Sequence, residues 1–288
     1  DNFFIGNAFF KQPWVAAPAS TKARDGLGPL FNTNTCQSCH VKDGRGRPPL
    51  NADEDLLSAL VRLSIPATTE AHQAQLIQNG VIPEPTYWDQ LQPNAVPGIK
   101  GEGRPAISYE NITGQFADGS RYTLIKPTPR IDALNYGKLH PDTLISVRVA
   151  PPMIGLGLLD AITEADILAN ADPDDADNDG ISGRPNRVWD VQLKQTVLGR
   201  FGWKANQPTV NQQSAAAFHG DLGINSDLIP GQNCTTVQTD CHKAIDGGTP
   251  EIPTKILDKV VFYSSTLAVP ARRNTRNPEV TRGEALFA

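Results

Sequence analysis

The chain has 288 residues, on the order of two typical domains, with 26 Lys and Arg against 31 Asp and Glu and a formal net charge of −5. That balance, with no basic stripe to neutralise phosphates, argues against nucleic acid as a partner, and no apolar run of about 18 residues is present to span a membrane. Hydrophobic residues make up 39% of the chain and can fill a substantial core, while 24 Gly and 24 Pro predict long irregular connections around it. The chain starts at Asp1-Asn2-Phe3-Phe4 without the basic and apolar regions of a secretory signal, so a signal peptide is expected to have been removed.

The first chemical motif is Cys36-Gln37-Ser38-Cys39-His40, the C-x-x-C-H spacing at which a c-type haem is attached. The thiols of Cys36 and Cys39 add to the haem vinyl groups as thioethers, and the His40 imidazole becomes the proximal ligand of the iron. A zinc ribbon would need a second Cys/His pair at matching spacing, and a thioredoxin-like pair would sit in a βαβ unit; neither context is visible. Haem c is attached outside the reducing cytosol, so the expected compartment is the bacterial periplasm or an equivalent oxidising space.

Residues 52–63 have an acidic first turn and helical apolar spacing and predict a helix. The stretch 83–105 is Pro/Gly-rich and predicts irregular chain. Residues 107–126 alternate around Ala117-Asp118-Gly119-Ser120, a hairpin signal, and a second hairpin is predicted over 187–203 around Lys194-Gln195. Helices are predicted at 164–170, near 212–218 and at 254–267. The run Asp175-Ala176-Asp177-Asn178-Asp179-Gly180 opens like an EF-hand loop, so Asp175, Asp177 and Asp179 are candidate Ca²⁺ ligands. Its twelfth position is Asn186 rather than Glu, and a solvated acidic turn is the alternative reading. The two remaining cysteines, Cys234 and Cys241, predict a disulfide; a stretched haem site ending at His242 is the rival.

Together, Gly26-Leu27-Gly28-Pro29-Leu30-Phe31-Asn32 leading into Cys36–His40, Asp43-Gly44-Arg45-Gly46, Arg148-Val149-Ala150-Pro151-Pro152, Gly155–Ile162, Asp179–Asn186, Gly199–Ala205 and Gly220–Ile224 resemble the di-haem oxidoreductase/peroxidase family, often labelled thiol oxidoreductases. That family is similar to bacterial di-haem cytochrome c peroxidases and MauG-type enzymes. The resemblance implies a mainly α fold with an irregular β insertion and cytochrome c-like haem lobes: a first lobe over 1–105, an insertion with the hairpins, acidic loop and Cys234/Cys241 pair over 106–250, and the start of a second lobe over 251–288. The ending Gly283-Glu284-Ala285-Leu286-Phe287 repeats the Gly-x-x-Leu-Phe pattern of Gly28–Phe31, so a second C-x-x-C-H, and the second haem, is expected beyond residue 288.

The implied activity is peroxide reduction, with one haem passing electrons and the other meeting the oxidant. By the same resemblance Glu102 is the candidate distal acid/base, against a surface turn carboxylate. Arg45, Arg47 and Arg104 are candidates for the haem propionates, and Trp88, Trp189 and Trp203 for electron relay, Trp203 first. The sixth iron ligand is left between Met153, the only methionine, and His219, with His72, His140 and His242 also open. The expected partner is a periplasmic electron donor such as a small cytochrome or cupredoxin. The alternatives are a non-catalytic electron-transfer cytochrome c and a haem-based sensor or binding protein.

Overall fold

The computed structural model describes residues 1–52 and 54–287; Asp53, within the predicted 52–63 helix, and Ala288, at the end of the last Gly-x-x-Leu-Phe segment, lie outside the described residues. In chain order the elements are α1 (Asn2–Lys11), β1 (Leu30–Phe31), α2 (Cys36–Cys39), β2 (Ala59–Ser64), α3 (Glu70–Asn79), β3 (Asn94–Ala95), β4 (Arg104–Gln115), β5 (Arg121–Asp132), β6 (Leu144–Val149), α4 (Leu156–Ala161), α5 (Glu164–Leu168), β7 (Arg187–Asp190), β8 (Gln195–Leu198), α6 (Val210–Leu222), α7 (Thr254–Thr266) and α8 (Pro278–Phe287). The mainly α expectation is overturned. Helix accounts for 28% of the chain and strand for 21%, the latter in small antiparallel sheets.

The named strands form four two-stranded sheets: β1 with β3, β2 with β6, β4 with β5, and β7 with β8. Both predicted hairpins form. In the first, β4 and β5 run on to pair Arg104 with Asp132, and the turn is closed by Phe116 N donating to Ser120 O and by Asp118 Oδ1 accepting from Ser120 N. In the second, Lys194 takes the left-handed conformation that the tight turn requires, with φ 54°. The predicted 52–63 helix fails because Ala59, Val61 and Leu63 are buried at alternate positions, a period of two, and pair with β6 from Ala59↔Val149 to Ser64↔Leu144. A local apolar pattern of six residues fits either period; the partner strand decides it.

Two apolar cores result. The larger joins Phe10 of α1, Trp14, Ala215, Phe218 and Leu222 of α6 and Leu257, Val260 and Tyr263 of α7, with Cys36 and Met153 against its edge. Helices near both ends of the chain therefore meet in one core. The smaller is built on Val61, Leu63, Tyr87 and Leu91. Loops between them are organised by buried glutamates rather than by ladders. Glu84, fully buried, accepts from the backbone N–H of Thr86, Tyr87 and His140; Glu251 accepts from Asn225 N, Asn225 Nδ2, Gln232 Nε2 and Gly247 N. Each carboxylate gathers donors that irregular chain would otherwise bury unpaired.

Close helix contact needs glycine at two positions, Gly6 of α1 and Gly157 of α4, both against backbone carbonyls of α7. A Cβ on Gly6 of α1 would lie 2.0 Å from the Lys259 carbonyl oxygen of α7. Gly6→Ala gains about 1 kcal/mol of helix propensity, but a backbone carbonyl cannot rotate away, and overpacking of this kind costs about 1–3 kcal/mol. Gly6→Leu is expected to lower the thermal midpoint more than Gly6→Ala; two midpoints equal to the parent's in calorimetry would rule out the close approach.

Candidate functional site

α2 is a single turn, and its neighbours hold it in place. Thr35 Oγ1 accepts from Gln37 N at 3.1 Å and lies 3.2 Å from the carbonyls of Phe10 and Lys11, to which its hydroxyl donates, so the turn is capped and pinned to the end of α1. The approach from β1 depends on glycine: a Cβ on Gly28 would sit 2.2 Å from the Gly223 carbonyl oxygen at the end of α6. Behind that contact, Asn32 N and Thr33 N donate to Asp221 O.

His40 is oriented by the chain far downstream. Its Nδ1 lies 2.8 Å from Pro151 O. A carbonyl can only accept, so Nδ1 carries the proton and Nε2 keeps the lone pair a metal needs. Burial holds the imidazole below its ordinary pKa, opposed by the Pro151 bond and the Asp43 charge, which keeps the ring neutral at neutral pH. Asp43 is itself fixed: its Oδ1 accepts from Tyr263 Oη at 2.5 Å and its carbonyl from Met153 N at 2.9 Å. Lys42 and Asp43 take left-handed φ values of 54° and 60° to make that turn.

Cys36, Cys39 and His40 line one open cavity, whose free space counted together with the solvent in its mouth is about 1440 Å³. Its apolar walls include Phe10, Leu60, Phe201, Val210, Phe218 and Val260. Burial, and then the charge of Asp221, push both thiols up to about 12. A polar corner is built from β2, β6 and the end of α6. Arg62 donates to Gln90 Oε1 at 2.6 Å and to Asp89 Oδ2 at 2.7 Å, and Gln90 Nε2 donates to Asp221 Oδ1 at 2.8 Å and to Gly220 O at 2.9 Å. Burial raises the Asp221 carboxyl above its ordinary value, against the Gln90 bond and Arg62.

These residues fit a haem attached through its vinyl groups. Adjacent thiols and an imidazole with a free Nε2 open onto apolar walls, and Gln207 Oε1 and Ser264 Oγ in the lining are buried with no hydrogen-bond partner. Orphaned polar atoms in a cleft of this shape mark missing contents.

The sequence-derived candidates scatter. Met153 lines the cavity, two residues after the carbonyl that grips His40, whereas His219 lies outside the lining, its pKa lowered by burial. His72 Nδ1 accepts from Thr68 N, His140 lies near Asp142, and His242 Nε2 contacts Thr235 O; none of the three lines the cavity. Arg47 is paired with Glu54, Arg45 stacks over Trp203 at 4.9 Å, and Arg104 lines a separate hollow beside Ser38. Trp203 borders the cavity; Trp88 and Trp189 do not. In the acidic loop the carboxylates that converge are Asp172, Asp175 and Asp177, all within 4.8 Å, while Asp179 Oδ1 accepts from Ile181 N; Asp172 and Asp175 likewise accept from Ala176 N and Gly180 N. Cys234 and Cys241 form a disulfide with Cα atoms 5.9 Å apart.

Glu102 is 2% exposed and is no surface turn, but it is not in the cavity lining. Its oxygens accept from Gln92 N at 2.6 Å and from Gln238 Nε2 at 2.5 Å, and Gln238 belongs to the disulfide loop. Gln92 Nε2 reaches Gly220 O, which Gln90 also contacts, so Glu102 stands one layer behind the polar corner. Sequence reasoning missed Arg62, Gln90, Arg148 and Asp221 as cavity residues. No local spacing marks them; strand pairing and the end of α6 bring them together.

A family model described as "di-haem oxidoreductase, putative peroxidase" matches residues 2–288. No curated protein and no solved structure matches the chain. Among the described residues no helix is long and apolar enough to cross a membrane.

The buried Glu102 gives a pH signature. Burial pushes its carboxyl from 4.5 up to about 8, against the bonds from Gln92 and Gln238 and with the Glu84 charge adding to the rise. The folded carboxyl thus holds its proton more tightly than the unfolded one. Its contribution to stability is fully present below about pH 4.5 and is lost as pH rises through about 8. Thermal midpoints taken between about pH 5 and about pH 9 should fall more steeply for the parent than for Glu102→Gln, whatever the offset between them; parallel curves would contradict the buried acid.

Proposed function

We propose, on the premise that the chain belongs to the di-haem oxidoreductase family, that it carries a c-type haem on Cys36 and Cys39 with His40 as axial ligand and reduces peroxide or a related small oxidant. The observation that carries this reading is the His40 Nδ1 bond to Pro151 O, which presents Nε2 as the free donor beside two half-buried thiols. When bound, the haem supplies electron transfer and the site where an O–O bond is cleaved.

The protein's own part is to hold, shield and supply protons. The bond to Pro151 O orients the imidazole and sets its tautomer, and the nearby Asp43 charge strengthens it as a donor. The walls from α6 and α7 exclude water. His40 is the only imidazole lining the cavity among the described residues. The other nitrogen- and oxygen-bearing lining residues include amides such as Gln90, Gln207 and Gln213, hydroxyls, the two arginines Arg62 and Arg148, and the carboxylate Asp221, which is held by Gln90. Glu102, protonated up to about pH 8, is the proposed proton reserve behind Gln92 and Gln90, reaching the cavity through water.

Met153 favours a second reading, an electron carrier with a thioether as the other axial ligand. Its place two residues after Pro151 puts it on the segment that already supports His40, which argues for an open axial position instead. The electron donor is proposed to be a small cytochrome or cupredoxin of the periplasm; the Cys234–Cys241 disulfide supports an oxidising compartment.

His40→Ala is expected to retain haem mass on the Cys36/Cys39 peptide while its Soret and EPR spectra change, and an unchanged spectrum would remove His40 as ligand. Met153→Ala is expected to leave the spectra and peroxide turnover within about twofold of the parent. Loss of a low-spin signal in that variant would establish the carrier reading instead.

A further inference from the structure

We propose that Arg148 docks a propionate carboxylate of the haem, an assignment that rests on haem attachment at Cys36 and Cys39. The register of β2 with β6 pairs Leu60 with Arg148 and Arg62 with Ser146, and Leu60, Arg62 and Arg148 all line the cavity from that ribbon. The two guanidinium groups are thus diagonal neighbours on one face. Their situations differ. Arg62 is compensated by Asp89 and held by Gln90, whereas the Arg148 side chain has no hydrogen bond or ion pair among the described residues.

Burial, and then the neighbouring Arg62 charge, work against the cation at Arg148; Asp89 offsets this only in part, since its Oδ2 is already taken by Arg62. An arginine does not shed its proton at physiological pH, so the site keeps a half-buried positive charge with no counter-ion. Asp221, the other acid of this corner, accepts from Gln90 and is itself raised by burial, which weakens it as a counter-charge. The remaining anion must come from what fills the cleft. Haem is an apolar disc with carboxylates on one edge, and a carboxylate matches the guanidinium fork with two parallel hydrogen bonds. Trp203, whose Nε1 donates to Val149 O next to Arg148, also lines the cavity. The arginines singled out from sequence are engaged elsewhere: Arg45 on Trp203, Arg47 on Glu54, and Arg104 at a separate hollow.

The test uses the haem-loaded full chain. Peptide mapping first shows whether the Cys36/Cys39 peptide carries haem mass; if it does not, the attachment reading fails and this one with it. With haem attached, Arg148→Gln is expected to shift the propionate bending band in resonance Raman and to lower the midpoint potential, since loss of a nearby positive charge favours ferric iron. Arg148→Lys keeps the charge but not the fork and should restore the potential while moving the band only part-way; if Arg148→Gln does not fold, the Lys variant alone carries the test through the band. Arg47→Gln, outside the cavity, should leave both readings unchanged. A propionate band identical in parent, Arg148→Gln and Arg148→Lys would overturn the proposal, including the case in which the potential still moves, because that pattern belongs to a residue acting on folding alone. A potential that follows added acetate in the parent but not in Arg148→Gln would assign Arg148 to a free carboxylate and overturn it equally.

Discussion

The hydrogen bond from His40 Nδ1 to Pro151 O joins segments more than a hundred residues apart, and the site depends on it. It fixes which ring nitrogen is free, and it brings the 150–153 segment against the C-x-x-C-H turn so that both border one cavity. The neighbouring bonds serve the same placement: Met153 N to Asp43 O, Asp43 to Tyr263, and Thr35 to the end of α1. A four-residue helix has no stability of its own in water. It persists here because each end is held by a different part of the fold.

The rest of the scaffold solves a related problem. A chain rich in Gly and Pro buries much irregular backbone, and buried N–H groups without partners are costly. Glu84 accepts three of these donors, Glu251 two and Glu102 one, so carboxylates stand in for sheet ladders. Burial in turn raises both the Glu251 and the Glu102 carboxyls, the latter to about 8, which makes the Glu102 clamp an acid with a proton to give near neutral pH. Through Gln238, the Cys234–Cys241 loop is part of the same clamp.

The cavity lining holds charge as well as apolar surface. Phe10, Val210, Phe218 and Val260 make low-dielectric walls, and Arg62, Gln90 and Asp221 form a bonded polar cluster with Arg148 diagonal to Arg62. Low dielectric strengthens whatever electrostatic contact forms there and penalises whatever does not. An amphiphilic cofactor with an apolar ring and an acidic edge satisfies both kinds of surface at once. Neither water nor a purely apolar ligand would do so.

By itself the sequence determined the C-x-x-C-H motif, both hairpins, the helices at 164–170 and 254–267, and the family resemblance. These are short-range patterns: the chemistry of C-x-x-C-H and the turn residues at 117–120 act within a few neighbours. Tertiary structure decided the rest. Whether Ala59–Ser64 is strand or helix depended on the partner strand Leu144–Val149, and the fold class changed with choices of that kind. Glu102, the candidate distal acid/base of the sequence reading, stands outside the cavity lining as a buried clamp because Gln92 and Gln238 converge on it from distant segments. Arg148 opens one of the segments that carry the family resemblance, but nothing local marks it as a cavity residue. Its meaning comes from lying diagonally across a strand pair from an arginine that already has its carboxylate, and an unpaired charge is defined only by everything that folds around it.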